Sequence, residues 1–211
     1  MVSVLRKHYK YVYFVVPDFA MSAGTVLCMS ADKMYMDYSS SLGPIDPQVP
    51  APDTGEYVPA LVYLDKVSEL TNKGNLAPAD LVLLRGLDLG KLVLYEQARD
   101  LSVDLLKKWP VKYKFKNWTH HRTNKIKKGK SVTRKEKECR AEEIAKALGN
   151  HKMWRSHGRS LDIKKLKNLR VEIEGYSDHV KPRNLIREYN DPLTSYNDRT
   201  QTSFFLHHHQ V

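Results

Sequence analysis

Ser22 stands in the stretch VPDFAMSAGT, Val16 to Thr25, between the end of one extended run and the start of a helical one, with Ala23 and Gly24 directly after it. Nothing bulky crowds its backbone. A serine hydroxyl is a weak nucleophile, so acyl transfer requires a nearby base and N–H donors aimed at the oxygen that becomes negative. The first turn of a helix offers unpaired N–H groups and the positive end of the helix dipole. The same position is also where a serine commonly caps a helix, and residue type and spacing leave both readings open. No group of His, Cys, Asp and Glu has zinc spacing, no glycine-rich phosphate loop occurs, and no dinucleotide fingerprint follows a strand. The expectation is therefore no metal and no cofactor.

A second chemistry lies in the tract from Lys107 to Lys137, where Tyr113, Phe115 and Trp118 interleave with lysines and most of the net charge of +11 is concentrated. Lysines on phosphates and rings on bases would make a nucleic-acid interface. Against it, Lys112, Lys114 and Lys116 alternate with the rings as a partly buried strand or packing arm would, and a charge run is commonly a solvated face. A nucleic-acid partner is the alternative reading and not the favoured one.

The elements that must position Ser22 follow from patterning. A chain of 211 residues with 41% hydrophobic and 28% charged content accommodates one core with an appendage. A helix ends near Val4 and Leu5. The segment from Tyr11 to Val16 reads as a strand buried on both faces, stopped by Pro17. Ser22 to Asp32 reads as a short helix, and Met34 and Met36 mark a second strand before the turn at Gly43, Pro44 and Pro47. Strand, helix, strand is a crossover unit of an α/β sheet. Helices are then expected from Tyr57 to Leu70, Pro78 to Leu84, Leu89 to Trp109 (closed by Pro110) and Arg134 to Leu148 (stopped by Gly149). A small unit from Leu161 to Ile173 combines an amphipathic piece with a short strand. The expected organisation is a proteolytic-type domain over 1–110, a basic, mainly helical extension over 111–190 and a flexible tail over 191–211. Two cysteines in unlike segments, Cys28 and Cys139, and no apolar run of membrane length predict a reducing, cytoplasmic setting. His207 to His209 are read as native tail.

Longer stretches carry a resemblance. The run VPDFAMSAGTVLCMSADKMYMDYSSSLGPIDPQ, followed in order by YEQARDLSVDLLKKW, YKFKNW, RAEEIAKALGN and WRSHGR, resembles the serine dehydrogenase proteinase family, relatives of signal peptide peptidase and the Clp protease. It implies an α/β Clp/crotonase-like fold with a helical C-terminal extension, a peptide substrate hydrolysed through an acyl-enzyme on Ser22, and association into a homo-oligomer. The N–H of Ala23 is carried over as one oxyanion donor. The second donor of the family, a Gly-Gly turn on an earlier strand, has no counterpart after Met1, so the N-terminal strands are expected to be missing and the chain weakly active or inactive alone. The base is carried over as a lysine, Lys66 or Lys73, which must be desolvated to lie neutral near pH 7. His157 of the SHGR motif is a lower-ranked alternative, with a buried structural histidine the favoured role. Asp46 of GPIDPQ is assigned to turn chemistry, or else to orienting the base.

Overall fold

Four consecutive β-formers after a short helix, α1 (Val2–His8), build the first strand, β1 (Tyr13–Val16). It pairs in parallel with β3 (Lys33–Met36), from Tyr13 opposite Lys33 to Val16 opposite Met36, and the connection between them carries the short helix α2 (Ala23–Cys28). This is the crossover unit the sequence predicts, in a computed structural model that describes residues 1–51 and 54–202. His207 to His209 lie outside the described residues.

On its other side β3 takes β7 (Glu174–Gly175), again in parallel, giving the order β1-β3-β7. β1 is therefore an edge strand, which corrects the expectation of burial on both faces. Val16 is buried, whereas Tyr13 and Val15 point to the open face, with Tyr35 packed edge-on against Tyr13. Two short ribbons flank this sheet: β2 (Phe19–Ala20) with β4 (Ser41–Leu42), parallel, and β5 (Gln48–Pro50) with β6 (Tyr57–Pro59), antiparallel. The first residues of the helix expected from Tyr57 are thus strand, and α3 begins after Pro59, spanning Ala60–Thr71.

The helices α4 (Pro78–Arg85), α5 (Leu89–Trp109) and α6 (Arg134–Leu148) follow the predicted spans, α5 opening on an Asp88 cap and α6 on a Thr133 and Glu136 capping box. Pro110 does not end α5. Its missing N–H and its ring forbid a regular helical turn, and the chain widens into one π-type turn, Pro110–Lys114, with the Phe115 N–H donating to the Pro110 carbonyl at 2.7 Å. Lys114 and Phe115 are thereby turned inward, where a strand or arm was expected.

Val16, Met34 and Met36 from the sheet, Leu106 from α5, Phe115, and Ile144 and Leu148 from α6 form one buried cluster. Leu166 of α8 (Ile163–Asn168) and Ile173 complete it, beside the short helix α7 (His151–Trp154). Residues on both sides of the expected boundary at 110 share this core. The last helix, α9 (Val180–Thr200), runs through the stretch expected to be flexible from Asp191 onward. Arg187 and Asn190 anchor it on Asp18 at 2.6 Å each, and this hold carries the helix past Pro192.

Two consequences can be measured. Burial of Cys28 raises its thiol to a pKa of about 11, while Cys139 is exposed. At pH 8 an aromatic disulfide reagent should titrate one thiol per native chain and two in denaturant, because the thiolate is the reacting species. At the start of α6, the Lys127 ammonium and then the Thr133 N–H hold Glu136 down from the ordinary 4.5 to about 2. A carboxylate depressed on folding contributes stability above its unfolded pKa, and that contribution is lost as pH falls from about 4.5 toward 2. Thermal melts across this window should fall more steeply for the unmodified protein than for Glu136→Gln.

Candidate active site

The loop from Pro17 to Ser22 places the serine. Pro17 ends β1, Asp18 is clamped by α9, and the two residues of β2 pair with β4 before the chain turns into α2. The turn is tight. The Thr25 hydroxyl donates to the Ala20 carbonyl at 2.7 Å and also bonds Gly43, which ties the start of α2 to the β2–β4 ribbon. A Cβ on Gly43 would stand 2.5 Å from the Met21 sulfur and 3.3 Å from the Met21 Cα, so that position requires glycine for close backbone approach.

At the apex Ser22 has φ +50° and ψ −111°, a backbone that residues with a side chain rarely adopt and that costs roughly 1–3 kcal/mol. Its side chain makes no capping hydrogen bond to α2. The conformation lifts a partly exposed hydroxyl off the turn, as in strand-turn-helix nucleophile elbows. Ala23, next in the chain, is exposed, and its N–H donates to no acceptor among the described residues. A cap serine would have normal extended geometry and would bond the first turn. Ser22 does neither.

Chain connectivity then brings a second pair to this end of the sheet. β4 runs through Leu42, which exchanges two hydrogen bonds, 3.0 and 2.8 Å, with Leu161, and Ile45 bonds the Leu148 carbonyl. Between these anchors Asp46 is buried at 2% exposure. Its Oδ2 accepts from Gln48 at 2.6 Å, and its Oδ1 lies 3.1 Å from Nδ1 of His157. The histidine is partly exposed, and its Nε2 has no partner among the described residues. A buried, oriented carboxylate on one ring nitrogen leaves the other as a proton acceptor, the arrangement that a serine hydroxyl needs from a base. No hydrogen bond joins His157 to Ser22.

The two lysines stand differently. Lys66 on α3 is exposed and paired with Glu69 at 3.1 Å, and Lys73 is paired with Asp80 at 3.1 Å. Solvation and a carboxylate partner both favour the charged ammonium, so neither meets the desolvation that a lysine base requires. The basic tract is likewise engaged internally in part. Phe115 is in the core, Trp118 packs edge-on against it, and Lys107 and Lys127 pair with Glu142 and Glu136. Sequence reasoning set His157 below the lysines because 111 residues separate it from Asp46. The linking signal was the presence of both GPIDPQ and SHGR, each a short polar run bounded by core residues.

The family model of ClpP-like SDH-type serine proteinases matches residues 1–124, more than half of the chain. The chain belongs to that family. Ser22 and Asp46 fall inside the matched proteinase region, and His157 comes from beyond it. Two uncharacterised proteins of Methanocaldococcus jannaschii are similar to it. One is 43% identical over 53 residues, covering 24% of this chain and 18% of its own length. The other is 27% identical over 169 residues, covering 80% of this chain and 44% of its own length. The chain thus spans less than half the length of these curated relatives. No solved structure matches it. Among the described residues no helix is long and apolar enough to cross a membrane, and no group of three or more His, Cys, Asp and Glu is placed to hold a metal ion.

Proposed function

We propose that Ser22 is the nucleophile of a serine peptidase of the Clp/crotonase type, with the Ala23 N–H as one oxyanion donor and His157, oriented by Asp46, as general base. The observation that carries this reading is the left-handed backbone of Ser22 at a strand-to-helix elbow, with its hydroxyl free of any capping role. In the proposed reaction the hydroxyl oxygen attacks the peptide carbonyl carbon while His157 Nε2 takes its proton. The Ala23 N–H stabilises the oxyanion, and His157 returns the proton to the leaving amine. Water then hydrolyses the acyl-enzyme by the same proton path in reverse. Contacts between base and nucleophile commonly tighten only when substrate binds. With Lys66 and Lys73 solvated and paired to carboxylates, the role of base falls to the histidine.

A peptide or protein substrate, self-association and a reducing cytoplasmic setting belong to the same proposal. The open edge of β1, with Tyr13 and Val15 exposed, supports pairing with a neighbouring copy, and the two cysteines are free. The direct test is reaction with a fluorophosphonate followed by peptide mapping. The adduct is expected on Ser22 in the longest naturally expressed form of the protein. An adduct confined to other residues, or none under conditions that label another serine hydrolase, overturns the assignment.

A further inference from the structure

The YKFKNW motif plays no part in the proposed reaction, yet it supplies an unusual group. The π-type turn after α5 carries Lys114 to a position only 6% exposed, against the buried Cys28 thiol. It makes no hydrogen bond and no ion pair among the described residues. Burial lowers its pKa to about 8. Lys114 lines a cavity of about 280 Å3 at the amino-terminal ends of β1 and β3, together with Tyr13, Asn117 and Trp118. Ser22 lies beyond the opposite, carboxyl-terminal end of β1, so the two places are separated by the length of the strand.

The charges around the cavity are already matched one to one. Asp32 is held by Arg6 at 2.5 Å, Glu172 by Arg122 at 3.1 Å and Glu174 by Lys33 at 3.5 Å. Lys114 is the cation left over. An unpaired buried charge is destabilising, and a counter-ion relieves it. Asn117 and Trp118 add side-chain N–H groups that donate no hydrogen bond among the described residues. One surplus positive charge, unused donors and flanking aromatic rings suit a single negative charge with oxygen acceptors. The three flanking carboxylates oppose a ligand of higher negative charge.

We propose that this cavity is a binding site for a small monoanionic carboxylate, whose oxygens take the ammonium of Lys114. The carboxylate belongs either to a free small acid or to the C-terminus of a peptide, since the recognising chemistry is the same. The site is independent of the Ser22 assignment.

The test uses the whole, unmutated protein first. Amine acetylation by limiting reagent, read by mass spectrometry, is measured at Lys114 with exposed Lys66 as the internal reference. Millimolar benzoate is expected to slow acetylation of Lys114 at least fivefold and to leave Lys66 unchanged, while benzamide protects neither. A short peptide with a free C-terminus, compared with its amidated form, distinguishes the two sources. Saturable benzoate binding by calorimetry should be lost in Lys114→Met and kept in Lys66→Met. Equal acetylation of Lys114 with and without every carboxylate overturns the proposal, as does undiminished benzoate binding by Lys114→Met.

Discussion

Replacing Ser22 by alanine is expected to abolish fluorophosphonate labelling and to lower Ser22-dependent peptide hydrolysis by at least about a thousandfold, because removing the nucleophile leaves only what positioning and oxyanion donors contribute. The same substitution separates the two readings of this serine by a second readout. Loss of a capping serine typically costs about 1 kcal/mol of stability, whereas Ser22 makes no capping bond. Thermal stability of Ser22→Ala should therefore stay close to that of the parent. Ser22→Gly goes further. Glycine adopts φ +50° without the penalty that a Cβ imposes, so this variant should gain about 1 kcal/mol while remaining inactive. A clear drop in melting temperature for both variants, with hydrolysis retained, would return Ser22 to the status of a helix cap.

Asp46→Asn should reduce turnover by about ten-thousandfold while leaving substrate affinity nearly unchanged. An amide in place of the buried carboxylate permits the wrong histidine tautomer and removes the charge that steadies the protonated ring. His157→Gln should fall by a similar factor, and the double variant by little more than either single one, because the two residues act as a unit. Lys66→Met and Lys73→Met should stay within about twofold of the parent, since each removes only an exposed ion pair. Steady-state kinetics on the four single variants and one double decides the base. If either lysine variant is the inactive one and His157→Gln is not, the histidine assignment is lost. Gln48→Leu provides an intermediate case: it withdraws the 2.6 Å bond to Asp46 Oδ2 and should slow turnover without eliminating it.

Much of the fold was legible because its signals are local. The spans of α5 and α6 follow from periodicity, an Asp88 cap and the Thr133 and Glu136 box, all within a few residues of each other. The crossover through α2 was readable from two apolar runs and a small-residue turn. Burial on both faces of β1 was not, because the neighbours of a strand come from elsewhere in the chain, and here one edge has none among the described residues. Pro110 was read as a stop, as proline often is. A widened turn held by a 2.7 Å bond kept the chain helical and moved Lys114 and Phe115 into the interior. The helical course of residues 191–200 depends on Arg187 and Asn190 gripping Asp18, about 170 positions away in the chain.

The candidate site divides along the same line. Sequence by itself determined that Ser22 stands at a strand-to-helix junction flanked by residues small enough for a tight turn, and that the chain carries the ordered motifs of a serine proteinase family. Those properties are written in adjacent residues. Only the tertiary structure decided that this serine sits in a left-handed backbone with its hydroxyl uncommitted, that Asp46 and His157 meet at 3.1 Å, and that Lys66 and Lys73 remain in solvent. Burial, backbone strain and the pairing of charges depend on what the rest of the chain places nearby, and no local pattern encodes that.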